Sequence, residues 1–378
     1  MRRMFPLFLA FFLLLTGCSG PADLVLSTVK AEEPPADYDR PTEGFRYARS
    51  QLTPQQQAVY DTLAAGLEAQ EEAIEDLYPD VDLMQAASDA IDKDYPEFFW
   101  FSGNGQIETT LMMDQPVRAA YKPQYLMDRS QRSETQAKIN AWESACLAGL
   151  AENASDYEKA LHVYRYIIDH ADYQTVEGNS ILHIMVDGAG LCGCYAKTAQ
   201  YILNRQGIPC AYISGQAAGE SHAWNLIWLE GTPCWMDVTW GDPVFDGGDP
   251  NDGPAYEYFG ITTADLLRNH ILDPGQQVPE CVSEDYNYFR RSGLWFETYD
   301  TSAMVDAMAA TLASGESRVC LRFSDDLWPQ ATHLLLDQGE IHRLPRQAAQ
   351  QAGTRTPGDS LWYSRNDAFC TLTVKMSG

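Results

Sequence analysis

The stretch GAGLCGCYAKTAQYILNRQGIPC, residues 188–210, constrains the fold more than any other part of the chain. Two glycines and two cysteines precede a run in which Tyr195, Ala199, Ile202 and Leu203 recur at helical spacing. The spacing predicts a helix from about Cys192 to Gln206. Gly207 stands where a left-handed residue closes a helix, and Pro209 prevents its resumption. AYISG then reads as a strand. The run SHAWNLIWLEGTPCWMDVTWGDP reads as a β-hairpin, with two aromatic-rich segments flanking Glu230-Gly231-Thr232-Pro233. Cys192 opens the helix at the positive end of its dipole, which favours a thiolate. Taken alone, the cysteine pair also fits a redox couple, half of a metal site or a tightly packed helix start. The residues downstream have to decide.

His222 on the first hairpin strand and Asp237 on the second supply what a thiol nucleophile needs. A base must take its proton and later protonate the leaving group, and a carboxylate must orient that base. In an antiparallel hairpin with an even loop, facing residues have an odd index sum and side chains alternate between faces. Positions 222 and 237 meet that parity, so the two side chains share a face, directly or diagonally opposed. An odd loop or a bulge would separate them.

The ends of the chain carry other signals. Arg2 and Arg3 precede an apolar run from Met4 to Leu15, too short to span a bilayer and suited to a signal peptide. Leu15-Thr16-Gly17-Cys18 resembles the bacterial lipobox, which implies cleavage before Cys18 and a lipid on its sulfur. Residues 1–17 are therefore expected to be a lipoprotein signal peptide. Residues 18–42, rich in proline and acidic groups, are expected to be a lipid-anchored flexible linker. The protein would be exported and lipid-anchored to the outer face of a bacterial membrane. With a formal charge of -27 the chain repels phosphate backbones, so nucleic acid is not expected as a partner.

Capping boxes at Thr53–Gln56 and Ser155–Glu158 start two helices, the second lining Ala160, Val163, Tyr164, Ile167 and Ile168 on one face. A further helical pattern, DLMQAASDAIDKD, ends before Tyr95-Pro96, and EFFWFSGNG reads as a short strand and turn. Residues 43–150 are read as a mainly helical N-terminal region. Residues 276–378 alternate strand-like and helical runs and are read as a small α/β C-terminal domain. Nine cysteines in an exported chain invite disulfides, and Cys210–Cys234 and Cys320–Cys370 are candidate pairs. Asp246, Asp249 and Asp252 miss the spacing of an EF-hand loop and read as a solvated turn. Cys192, Cys194, Cys210 and Cys234 lack the paired knuckles of a zinc site. No metal or cofactor is expected. His162, His170, His183 and His270 show no partner pattern.

The blocks GAGLCGCYAKTAQYILNRQGIPC, HAWN and DVTWGDP, in that order, resemble the bacterial transglutaminase-like superfamily. The resemblance runs from about residue 150 to YEYFGITTADLLRNH, ending at 272. It implies an α+β protein with a papain-like core over 151–275. It also implies a Cys–His–Asp triad, falling on Cys192, His222 and Asp237. Cys194 occupies a position the family usually gives to glycine, and packing is the favoured role for it. Trp224 and Asn225 of the HAWN block are carried as candidate substrate-binding residues. The implied reaction is attack of the Cys192 thiolate on a peptide or glutamine-type amide, giving a thioester resolved by water or an amine. Hydrolysis is favoured, because water is abundant outside a cell and nothing in the sequence indicates a closed acyl site. The Cys192 N–H is the natural first oxyanion donor, and no second donor is assigned. The alternatives are a non-catalytic surface binding module on the same fold, or a thiol–disulfide exchanger using Cys192 and Cys194.

Overall fold

The computed structural model describes residues 44–243, 253–316, 318–356 and 361–376. The signal peptide, Cys18, the linker, and Asp246, Asp249 and Asp252 lie outside the described residues.

The chain enters through a short helix, α1 (Tyr47–Ser50), and α2 (Pro54–Glu68). Thr53 accepts from the Gln56 N–H and Gln56 returns the bond, as the capping box requires. Strand β1 (Ile74–Leu77) leads to α3 (Val81–Asp94), which ends before Tyr95-Pro96. A long hairpin follows, β2 (Phe101–Met112) and β3 (Gln115–Tyr125), and β3 also pairs with β1. The segment expected to be mainly helical thus also holds a three-stranded antiparallel sheet. The outer hairpin is exposed on both faces, so it lacks the polar–apolar alternation by which a half-buried strand is read. Helix α4 (Arg129–Leu147), boxed by Asp128 and Gln131, closes this region.

Helix α5 (Asp156–His170) begins at the Ser155–Glu158 box and buries the expected face. Two short parallel strands, β4 (Asp172–Tyr173) and β5 (Ala189–Gly190), lead to α6 (Cys192–Arg205). Its burial exceeds the apolar stripe: every residue from Gly193 to Asn204 is buried, Lys197 included. Helix α6 is a central helix, and Lys197, the Gln200 amide N–H and Asn204 are spent on neighbours.

Beside it stand β6 (Cys210–Ala217), β7 (Glu220–Leu229) and β8 (Thr232–Met236), then α7 (Val238–Gly241), β9 (Phe259–Ile261), α8 (Thr263–Leu266) and β10 (His270–Leu272). The strands form one antiparallel sheet in the order β10-β6-β7-β8-β9. Strands β7 and β8 are joined by Glu230-Gly231, with φ of 45° and 84°. Positive φ at both turn residues is the hairpin geometry that suits strand twist. The register from Leu229↔Thr232 to Asn225↔Met236 keeps an odd index sum. Asp237, just past β8, therefore lies diagonal to His222 on the same face.

One cluster of buried side chains runs from Val59 to Phe259 and joins the N-terminal elements to α5, α6 and one face of the sheet. The other face packs Ile213, Trp224, Leu226 and Trp235 together with Tyr258 and Phe369. The C-terminal part has its own core. It comprises α9 (Tyr288–Arg291), β11 (Trp295–Phe296), α10 (Thr301–Ala313), β12 (Arg318–Phe323), α11 (Trp328–Thr332), α12 (Leu344–Ala352), β13 (Trp362–Asn366) and β14 (Thr371–Lys375). Its sheet order is β11-β12-β14-β13. Arg322 of β12 binds Asp265 of α8 at 2.6 Å, tying this part to the central sheet.

Neither candidate disulfide forms, and all eight described cysteines are free. Cys210 and Cys234 both face Ile227, from strands on either side of β7. Two strand spacings separate their backbones by roughly 10 Å, beyond disulfide reach. Cys320 pairs with Thr373, while the Cys370 carbonyl accepts from Phe323, three positions away along β12. Among the described residues no helix is long and apolar enough to cross a membrane.

Candidate active site

Cys192 is the first residue of α6, half-exposed, while the helix behind it is buried. Leu191 at the N-cap offers no side-chain acceptor, and among the described residues the N–H groups of Cys192 and Gly193 form no hydrogen bond. The nucleophile position thus carries two open backbone donors.

His222 is 5% exposed and Asp237 1%. The His222 Nε2–H donates to Asp237 Oδ2 at 2.7 Å. That leaves Nδ1 free of the carboxylate, and the Cys192 sulfur lies close enough to the ring to raise its pKa. Asp237 is fixed from its other side, where Oδ1 caps α7 by accepting from the Trp240 N–H at 3.1 Å. The structure therefore brings together Cys192, His222 and Asp237, the three residues singled out from the sequence.

It also adds a fourth. His270, read as partnerless, donates Nε2–H to the same Asp237 Oδ2 at 3.0 Å. It is 1% exposed, and its Nδ1 meets Asn269 Oδ1 at 2.7 Å. Trp224, Trp240 and Tyr258 pack around its ring. His270 opens the edge strand β10, whose pairing with β6 carries it to the carboxylate. The one sequence signal was its place at the end of the YEYFGITTADLLRNH block.

The electrostatics follow from these contacts. Burial alone would lower the His222 pKa, but the Asp237 carboxylate and the neighbouring Cys192 outweigh it and push it up to about 10. Burial alone would raise the Asp237 carboxyl, yet His222 and His270 hold it well below the usual carboxylate range. A buried carboxylate shared by two imidazoles keeps the charged form of the base available. Cys194 is different. Its thiol is buried against Gly190, where an added Cβ would lie 2.7 Å from the Cys194 Cβ, and it contacts the Gly178 carbonyl at 3.7 Å. Burial pushes it up to about 11, so it packs and is poorly suited to act as an exchanging thiolate.

Trp224 and Asn225 need correcting as substrate-binding candidates. Both are fully buried. Trp224 packs beneath the His222 and His270 rings at 5.8 Å and 4.9 Å, and Asn225 clips α6 to the sheet, donating to the Ala196 carbonyl at 3.0 Å. Strand alternation turns Asn225 to the opposite face from His222, and full burial beneath the imidazoles keeps Trp224, on the His222 face, from substrate. Among the described residues, His222, Asp237 and His270 are the one group of three metal-type ligands that lie close together. Both imidazole N–H groups are spent on one carboxylate oxygen inside an aromatic shell, so a cation would have to displace both.

An α+β core with a cysteine-led helix against an antiparallel sheet defines the papain-like class. Residues 145–240 match the transglutaminase-like superfamily, and the chain carries a transglutaminase-like domain. Three solved structures are similar over part of the chain. A transglutaminase (TGase) structure is 12% identical with a TM-score of 0.27, covering 36% of this chain and 44% of its own. A protein of Cytophaga hutchinsonii, described as a candidate cysteine protease, is 16% identical with a TM-score of 0.24, over 37% of this chain and 64% of its own. A candidate protease of Parabacteroides distasonis is 8% identical with a TM-score of 0.22, over 37% of both chains. This chain spans less than two thirds of each. The comparison with curated proteins gave no match.

Proposed function

We propose that the protein is a cysteine acyl-transfer enzyme that hydrolyses peptide or glutamine-type amides through a thioester on Cys192. The observation that carries this is the setting of His222, with Nε2 held by Asp237 at 2.7 Å and Cys192 close enough to raise the pKa of the ring. In the reaction the Cys192 proton passes to His222 Nδ1 and the sulfur attacks the amide carbon. The carbonyl oxygen gains the π electrons, and the N–H groups of Cys192 and Gly193 stabilise it. Collapse breaks the C–N bond, and the leaving amine takes the proton from Nδ1. Water then attacks the thioester, gives its proton to His222, and the acid departs as the sulfur is freed. Asp237 remains ionised throughout and keeps the imidazolium oriented. The same proposal has the enzyme act at the outer face of a membrane through a lipid on Cys18, which metabolic labelling with palmitate, lost in Cys18→Ala, would test.

The test of the chemistry is alkylation by iodoacetamide at mildly acidic pH. The expected result is fast labelling of Cys192 that slows at least about tenfold in His222→Ala. Labelling at the rate of an ordinary thiol, unaffected by that substitution, would favour a binding module on the same fold.

A further inference from the structure

The seam between the central unit and the C-terminal part holds a cavity of about 440 Å³ whose lining contains no triad residue. Helix α5 supplies Arg165 to it, β12 supplies Arg318 and Cys320, and the segment 253–257 leading into β9 forms a third side. Tyr256 and Tyr288 stack across the seam at 3.7 Å, with their planes 11° apart. The Tyr256 hydroxyl accepts from the Arg165 Nε–H at 2.6 Å, which fixes the guanidinium beside the stack. Small-molecule sites favour such seams and this range of volume.

Glu257 gives the cavity its chemistry. It lines the wall yet is only 7% exposed, and neighbours hold just one of its oxygens. Oε1 accepts from the Thr371 hydroxyl at 2.9 Å and from the Cys320 thiol at 3.7 Å. Among the described residues Oε2 accepts no hydrogen bond, and Glu257 forms no ion pair. A buried carboxylate calls for a cation, and among the described residues the chain supplies none. Arg165 is the counterpart. It is half-buried, spends Nε on Tyr256 and forms no ion pair among the described residues. Its planar fork matches a carboxylate. Arg318, whose Nη1 donates to the Gly253 carbonyl at 2.9 Å, adds a second positive charge. The lining therefore carries a base and an acid without joining them.

We infer that this cavity binds a small zwitterion, an α-amino acid or dipeptide, with its ammonium on Glu257 and its carboxylate on Arg165. A lone anion would meet Glu257 together with Asp169 and Glu316, both exposed at the cavity. A lone cation would meet Arg165 and Arg318. A ligand that carries both charges answers both ends. Leu294 and Val319, buried and on the lining, suit an uncharged aliphatic side chain. The inference does not depend on the chemistry at Cys192.

Calorimetric titration of the full chain with leucine and glycyl-leucine tests this, beside the two half-molecules isoamylamine and isocaproate. At least one zwitterion is expected to bind at least about tenfold tighter than either half, because each half lacks one charge-assisted contact. Glu257→Gln preserves size and an acceptor for Thr371, and should weaken that zwitterion at least about tenfold. Arg165→Met should do the same, with a thermal melt showing that each variant folds. If Glu257→Gln fails to fold, Arg165→Met, at a half-buried position, carries the test. Cys192→Ser should bind within about twofold of wild type, which separates this site from the nucleophile. Isocaproate binding as tightly as the zwitterions would mean an anion site and overturn the ligand class. Isoamylamine doing so would overturn it in favour of a cation. The site itself would be overturned if neither zwitterion bound at millimolar concentration. Binding that survived both charge substitutions, or vanished in Cys192→Ser, would overturn it as well.

Discussion

Two buried carboxylates, built alike, do opposite work in this molecule. Asp237 is gripped by His222 at 2.7 Å and His270 at 3.0 Å, and Asp265 by Arg322 at 2.6 Å and Arg268 at 3.1 Å. Each acid is buried and each has two nitrogen partners from separate segments. The difference lies in the partners. Guanidinium keeps its proton across the accessible pH range, so the Asp265 cluster can only join α8 to β12. Imidazole gives up its proton within the accessible range, His222 at about 10, so the Asp237 cluster can pass one to and from a neighbouring thiol. Stacking of Arg322 on Trp295 at 4.1 Å supports the fixed charge, although among the described residues its Nε and Nη1 have no hydrogen-bond partner. The same electrostatic motif serves docking in one place and chemistry in the other, according to whether its cations titrate.

The comparison breaks most visibly when one cation is removed from each cluster. His222→Ala should lower Cys192-dependent amide hydrolysis by roughly 10³–10⁴-fold while the fold persists, because the base is lost. Steady-state kinetics on a fluorogenic amide, with a thermal melt beside it, checks both halves. Arg322→Ala should do the reverse. It leaves Asp265 buried with one partner, which costs about 3–5 kcal/mol of stability, and the alkylation rate of Cys192 should stay within about threefold of wild type. A double change, Arg322→Met with Asp265→Leu, should recover most of that loss, since well-packed apolar replacements of buried ion pairs are often neutral. Loss of alkylation in Arg322→Ala would show that the docking cluster also shapes the site.

The two clusters should also part company with pH. The folded His222 pKa lies above its ordinary value of 6.5, at about 10, so its contribution is full below 6.5 and disappears as pH rises through 10. The stability gap between wild type and His222→Ala, from urea unfolding, should therefore be largest at pH 6 and shrink by a few kcal/mol toward pH 10. The gap between wild type and Arg322→Ala should stay level over that interval, because arginine does not titrate there. A level His222 gap would mean that the imidazole carries no excess proton in the folded state.

How much of this was legible in the sequence follows from the range of the contacts. Helix α6 announces itself by its own periodicity and by Gly207 and Pro209, and the β7–β8 hairpin by its turn and parity. His222 and Asp237 could be paired because a two-residue turn fixes their register. His270 could not, because it lies 33 residues from Asp237 and is delivered by a three-residue edge strand with no pattern of its own. The β2–β3 hairpin escaped because its outer half faces solvent on both sides. Trp224 and Asn225 show the remaining limit. A motif marks a neighbourhood, whereas burial decides which of its members can reach a substrate.

The smallest effect sharpens the comparison furthest, because it asks what a second imidazole adds. His270 faces Asp237 and His222, with Tyr258 beside it, and lies too deep to touch a substrate. It acts as a positioning residue. Asp237 Oδ2 receives two N–H donors and Oδ1 one, so removing His270 frees the carboxylate to rotate about its remaining contacts. A hydrogen bond to a charged group contributes about 1.5–3 kcal/mol, so His270→Ala should slow Cys192 alkylation by roughly tenfold or somewhat more. His270→Gln can still donate an N–H and should restore most of the rate. Because His270 helps to hold the Asp237 carboxyl low, the acid limb of the alkylation profile should move to higher pH in His270→Ala. A residue that only filled space would lower the melting temperature in both variants and leave that limb where it was.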